Sequence, residues 1–219
     1  MEQLLSPMKQ NTSHAVMAQR PSPRESLDDF PTPPWATRAL MEHVIRHNVA
    51  DCSCLEPACG AGHMGFALDE FFETVTMSDI ADRGAGARQD FLSTFHLPDS
   101  FDWVITNPPF NRAEQFARRA MSIAKVGVAM LVRTAFLEGV GRHARLFKEE
   151  PPSIVAQFVE RVPMVQGRLS RTASTATSYA WLVWLRPFGG TTRLIWIPPC
   201  RKRLERDSDY PIIPEAPLT

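Results

Sequence analysis

Short apolar runs that end at Gly, Pro or Asn alternate with stretches of helical period through the middle of the chain, a pattern that predicts βαβ units around a parallel sheet. Residues 52–56, 75–78, 101–106 and 127–132 are the predicted strands of this part, and residues 38–47, 63–72 and 111–125 the predicted helices. Thr37 is placed to cap the first helix, because the preceding Phe30-Pro-Thr-Pro-Pro-Trp35 is too rich in proline for the interior of a helix or strand. After residue 150 the pattern changes. Residues 154–159, 179–185 and 193–197 read as strands with no long helix between them, so the sheet is expected to finish with antiparallel pairing at one edge. Residues 167–178, rich in Arg, Ser and Thr, predict a mobile surface loop.

Residues 1–29 lack sustained periodicity and are expected to be a disordered tail; residues 30–200 form the folded domain and residues 201–219 a C-terminal tail. The 219 residues contain 44% hydrophobic and 22% charged residues, enough apolar material for a core without metal or disulfide staples. Cys52, Cys54, Cys59 and Cys200 form neither a CxxC pair nor a secreted disulfide framework. No run approaches the roughly 18 apolar residues of a membrane span. The start of the chain has no basic region followed by an apolar one, so no membrane association is expected and the location is read as cytoplasmic.

Charge adds a division that hydropathy does not show. The formal net charge is zero, yet residues 1–110 carry 7 Lys or Arg against 15 Asp or Glu, while residues 111–219 carry 17 against 9. An acidic half and a basic half point to different tasks, and the basic one suits a polyanionic partner.

Three strand ends carry candidate chemistry. Glu56-Pro57-Ala58-Cys59-Gly60-Ala61-Gly62 follows the first strand and opens a helix, and its glycines let backbone amides approach a ligand in the crevice at that end of a doubly wound sheet. The same turn also serves simply to tighten a strand-to-helix connection. Asp79-Ile80 ends the next strand, where a nucleotide crevice needs an acid to accept hydrogen bonds from ribose hydroxyls, although an Asp that caps a turn looks the same. Asp90-Phe91 offers an acceptor for an adenine amino group beside an apolar wall. Asn107-Pro108-Pro109-Phe110 ends the third strand: an amide oxygen, a proline carbonyl and a flat π surface together hold a planar exocyclic amine and stack on its ring. His43 and His47 lie one helical turn apart without a third ligand at suitable spacing, so no metal is expected.

Glu56 to Gly62 followed by Asn107 to Phe110 resembles motifs I and IV of S-adenosylmethionine-dependent amino-methyltransferases, especially the DNA N6-adenine enzymes, including those of phages and prophages. The resemblance covers roughly residues 30–135. It implies a Rossmann-like methyltransferase fold with a seven-stranded, mostly parallel sheet, and S-adenosylmethionine as cofactor. Phe30, Thr32 and Pro33 resemble motif X, which touches the methionine part of the cofactor; Asp79 with Ile80 matches the ribose motif and Asp90 with Phe91 the adenine motif. DNA is the implied partner, with RNA bases, cytosine N4 and protein glutamine as alternatives, because NPPF-type motifs serve all of these. The family's larger DNA enzymes add a sizeable target-recognition domain that some 85 residues after position 135 do not provide. Specificity is then expected from short insertions or from a partner. Arg112, Arg168 and Arg171 are the expected phosphate contacts, the last two from the Ser/Thr-rich loop.

Overall fold

The computed structural model describes residues 29–210, so the predicted disordered tail falls, apart from Asp29, outside the described residues. In chain order the elements are α1 (Pro34–His43), β1 (Ser53–Glu56), α2 (His63–Leu68), β2 (Thr74–Asp79), β3 (Ala87–Arg88), β4 (Phe101–Thr106), α3 (Ala113–Ile123), β5 (Ala124–Arg133), α4 (Val140–Arg142), β6 (Ile154–Phe158), β7 (Tyr179–Leu185), β8 (Arg193–Ile197) and α5 (Arg201–Leu204). The strands form one sheet in the order β3-β2-β1-β4-β5-β7-β6-β8. All neighbours run parallel except β7, which is antiparallel to both β5 and β6. The reversed strand lies on the expected side of the sheet, with β6 and β8 outboard of it.

The sheet has eight strands rather than seven. The additional one is β3, two residues that continue the sheet beyond β2 through Ser78–Ala87 and Asp79–Arg88. A two-residue strand next to Gly84 and Gly86 carries no alternation for a sequence pattern to report. The first helix also starts earlier than expected, at Pro34, with Thr37 buried in its interior instead of capping it. Proline is suited to the first turn because the N–H it lacks has no intrahelical partner there. Trp35, carried inward by this shift, is fully buried and meets Phe158 edge-on.

Side chains alternate between two cores. Trp103 and Ile105 of β4, Ala129 and Leu131 of β5, and Trp181 and Val183 of β7 pack under α1 and α2. Val104, Val128, Met130, Leu182 and Trp184 pack with Phe116, Ala117 and Ala120 of α3 on the opposite face. Strands covered on both faces read as continuous apolar runs, which is why β5 was so conspicuous in the sequence.

Residues 201–210, expected as part of a tail, pack back onto α1. The Arg38 guanidinium donates at 2.8 Å to each oxygen of Asp209 and also at 2.8 Å to Glu70 Oε1 and the Leu204 carbonyl. Arg38 and Asp209 side chains are only 6% and 3% exposed. Burial raises the Asp209 pKa, but the bonds from Arg38 and the Arg206 N–H outweigh it, and the net direction is down. Asp209→Ala is expected to destabilise the fold by about 2 kcal/mol in urea unfolding at pH 7, since Arg38 loses its charge-assisted bonds to Asp209 while keeping Glu70. Because the folded carboxyl titrates below its unfolded value, this contribution is present at neutral pH and is lost as pH falls through the depressed value; the variant and the parent should converge in acid.

Candidate active site

A cavity of about 430 Å³ opens at the carboxyl ends of β1, β2 and β4. Its walls bring together Phe30 and Thr32, Glu56 to Gly60, Asp79 and Ile80, Asp90 and Phe91, Asn107 to Phe110, and Arg112. Residues predicted from five separate stretches of sequence thus share one space. Pro33 is buried at the N-cap of α1 and does not line it, and neither do Arg168 and Arg171. His63, Met64, Arg83 and Gln89 also line the cavity; no motif marked them, and only their nearness to the glycine turn and to Asp79 could have done so.

The turn after β1 needs its glycines. Gly60 and Gly62 have φ of +53° and +86°, and a Cβ on Gly62 would lie 2.7 Å from the Phe66 ring and 2.8 Å from Ala85 Cβ. Asp79 holds this turn against β2: its Oδ2 accepts from the Gly60 N–H at 2.9 Å and its Oδ1 from the Ala81 N–H at 2.8 Å. Each carboxylate oxygen keeps a further lone pair, so the same side chain can brace the turn and accept from a ligand hydroxyl. Phe91, 2% exposed, packs against Phe116 at 5.0 Å between ring centroids and makes the apolar wall, while Asp90 Oδ1 accepts from the Leu92 N–H at 3.0 Å.

Glu56 is the unusual acid. It is 1% exposed, Thr106 donates to its Oε1 at 2.8 Å, and burial pushes its pKa up to about 8 against the lowering effect of that bond. Its Oε2 is buried without a well-formed hydrogen bond among the described residues, although the Ala58 N–H is near enough to help hold the pKa down. Thr32 Oγ1 and Asn107 Oδ1 are likewise buried without one. Three residues of the cavity wall thus carry a buried oxygen without a well-formed hydrogen bond among the described residues, and such atoms call for an explanation that a polar ligand would supply. An adenosyl group matches the apolar wall and Asp79, and a charged amino-acid end matches the orphaned oxygens. The residues present therefore fit S-adenosylmethionine.

Asn107, on the cavity wall, is oriented by a contact that fixes which end of its amide is spent on the backbone. Its Nδ2 donates to the Phe30 carbonyl at 2.9 Å, and a carbonyl can only accept, so Oδ1 is left as the free acceptor. The Phe30 and Phe110 rings lie 5.4 Å apart beside it. Asp29, just before Phe30, pairs with Arg83 at 2.7 Å between two lining residues, and its carbonyl accepts from the Gly167 N–H at 2.8 Å.

The basic surface is less open than the sequence indicated. Arg171 is drawn onto Asp207 at 2.8 Å and stacks over Tyr210, and Arg145, Arg201 and Arg203 are paired with Glu114, Glu205 and Glu42. Arg112, exposed at the cavity rim and at the N-cap of α3, and Arg168, exposed in the long loop, have no ion pair among the described residues.

This sheet order, with a reversed seventh strand and a glycine turn after β1, is the fold of class I S-adenosylmethionine-dependent methyltransferases, and solved structures agree. A type I restriction-modification methyltransferase subunit from Streptococcus thermophilus superposes with a TM-score of 0.58 and 12% identity, over 84% of this chain and 52% of its own. A Listeria monocytogenes protein described as a class I S-adenosylmethionine-dependent methyltransferase gives 0.54 and 16%, over 76% of this chain and 65% of its own. A Pyrococcus horikoshii protein described as an RNA methyltransferase gives 0.56 and 15%, over 74% of this chain and 89% of its own. The chain thus spans about half of the restriction subunit and just under two thirds of the listerial protein. No protein-family model and no curated protein matches the sequence. No helix among the described residues is long and apolar enough to cross a membrane.

Proposed function

We propose that the protein is an S-adenosylmethionine-dependent methyltransferase that methylates an exocyclic amine, with N6 of adenine in DNA as the favoured target. The observation that carries this reading is the orientation of Asn107 on the cavity wall, whose donor is spent on the Phe30 carbonyl and whose buried acceptor has no partner among the described residues. A binding module for the cofactor alone has no use for an acceptor held in that way.

S-adenosylmethionine, when bound, supplies a methyl group on a positively charged sulfur. Glu56, Asp79 and the Gly60 turn would hold the cofactor, and Phe91 would cover its adenine. An aromatic amine is a poor nucleophile because its lone pair is delocalised into the ring. Asn107 Oδ1 and the Pro108 carbonyl, accepting its two N–H bonds, favour a pyramidal nitrogen and stabilise the positive charge that develops there. The nitrogen gains the methyl and loses a proton to solvent, so no strong base is needed and positioning supplies most of the catalysis. A base inside a duplex cannot reach the cavity, so it must be flipped out, with Phe110 as its stacking platform.

The net positive balance of the second half, and the S. thermophilus neighbour's part in a restriction-modification system, favour DNA. The test is transfer of labelled methyl to duplex DNA, single-stranded DNA, RNA and a protein extract in parallel, followed by nucleoside mass spectrometry. N6-methyladenine in DNA is expected. Label confined to RNA, to cytosine N4 or to protein would move the substrate, and cofactor binding without transfer to any of them would make the chain a binding module.

A further inference from the structure

Residues 29 and 30 are tied to both sides of the cavity. Asp29 Oδ2 accepts from Arg83 Nη1 at 2.7 Å, and the Phe30 carbonyl accepts from Asn107 Nδ2 at 2.9 Å. Arg83 lies in the chain that leaves β2, Asn107 follows β4, and the sheet places those two strands on either side of β1. The segment therefore crosses the carboxyl end of β1, where Arg83 Cδ would lie 4.0 Å from a Cβ on Gly60. Asp29, Phe30, Pro31, Thr32 and Arg83 all line the cavity. A third tie leads away from it: the Asp29 carbonyl accepts from the Gly167 N–H at 2.8 Å, in the loop between β6 and β7 that carries Arg168. Of these ties, only Asp29–Arg83 joins two side chains. They are 22% and 30% exposed, so water reaches the pair and it parts at modest cost.

We propose that Asp29 and Arg83 form a clasp that governs passage of the cofactor: it holds residues 29–32 across the cavity, parts for the cofactor to enter or leave, and in parting loosens the loop that carries Arg168. This rests on the reading of the cavity as the S-adenosylmethionine site. A segment fastened on both sides of a crevice bars the way to whatever lies beneath it, so passage is limited to the fraction of time in which a fastening is open. A clasp that closes with cofactor bound or not changes entry and exit by one factor and leaves the equilibrium alone. A group that touches the cofactor instead changes exit more than entry. Because the Asp29 carbonyl also holds Gly167, the step that lets the product cofactor out slackens the loop expected to meet phosphate. Arg83 is in this sense a positioning residue, which acts on the cofactor through the segment that it fastens.

The test measures association and dissociation rate constants of S-adenosylhomocysteine with the full chain by stopped flow, in the parent, Arg83→Met, Asp29→Ala, the double variant and Arg83→Lys. Both single variants should raise both constants by roughly threefold, the effect of an exposed ion pair, with Kd unchanged. The unchanged Kd also shows that each variant is folded. The double variant should gain nothing over either single one, because one contact is removed in all three. Arg83→Lys keeps the charge and should stay near the parent. The two single variants change the local charge in opposite directions, so attraction or repulsion of the ligand would move them apart, whereas loss of a clasp moves them together. Tryptic cleavage after Arg168 reads the loop: it should quicken in both by the same roughly threefold factor, since cleavage follows the population of the open form. A faster exit with entry unchanged would make Arg83 a direct ligand contact, and opposite responses of the single variants would make the pair a source of field; either result overturns the clasp while leaving the cofactor site intact. Unchanged cleavage would cut the loop out of the proposal. Failure of S-adenosylhomocysteine to bind the parent would overturn the reading of the cavity itself and the clasp with it.

Discussion

Asn107→Ala is expected to lower the rate of methyl transfer by two to three orders of magnitude, the usual effect of removing one preorganised group that meets charge developing in a transition state. Affinity for S-adenosylmethionine should change by no more than about threefold, because an acceptor in the proposed role acts on the amine only as the nitrogen becomes positive. One complication is built into the structure: the same side chain ties down the Phe30 carbonyl through Nδ2, so alanine also frees the segment that resembles motif X. Asn107→Asp separates the two roles. It removes the donor to Phe30 as alanine does but keeps an acceptor, so it should share alanine's small change in affinity while retaining more transfer. Single-turnover kinetics with a separately measured Kd checks both variants. If alanine costs affinity and turnover equally, Asn107 is a structural tie and the amine-acceptor role is wrong.

How much of this was legible in the sequence depends on how local each cause is. The runs at β1, β4, β5 and β7 announced themselves because burial on both faces leaves no polar position. The glycine turn and Asn107-Pro108-Pro109-Phe110 were legible because each is a local pattern complete within a few residues. Their meeting in one cavity followed from a rule of parallel sheets, that the carboxyl ends of adjacent strands share a crevice. Features that depend on partners far along the chain were silent. Nothing near Arg38 predicts that Asp209 satisfies it across 171 residues and turns an expected tail into part of the fold. Nothing near Arg133 says that it will lie on Phe110, and nothing near Arg171 says that Asp207 will claim it. Charge counting saw a basic half, but could not see which of its members were already neutralised by neighbours.

Glu56 was read as part of a turn, and its burial gives it a second property with a large expected effect. A carboxyl that titrates near pH 8 is mostly protonated at pH 7, with a proton to give up when a cation arrives. S-adenosylmethionine carries a fixed positive charge on sulfur and a second on its amine, so its binding should pull the Glu56 pKa down and release that proton. Affinity is therefore expected to rise with pH from 6.5 to 7.5, by a factor that approaches tenfold per pH unit while the free carboxyl stays protonated. His63 also lines the cavity, and burial lowers its pKa, away from this window. Glu56→Gln keeps an acceptor for Thr106 and has no proton to lose; its affinity should be weaker than the parent's at pH 7.5 and independent of pH. Calorimetry in two buffers of different ionisation enthalpy measures the proton directly, with close to one released per cofactor at pH 7 in the parent and none in the variant. The same shift has an opposite sign for the free protein. An acid whose folded pKa is raised favours folding while it is protonated, and that benefit is lost as pH rises through the unfolded value near 4.5 toward 8. The cofactor-free protein should thus soften on the alkaline side while the cofactor holds it most firmly there, and thermal shift with and without S-adenosylmethionine should separate the two curves increasingly as pH rises. A pH-independent affinity in the parent would mean that the positive charge of the cofactor lies away from Glu56, and that the orphaned oxygen of that residue serves a ligand of another kind.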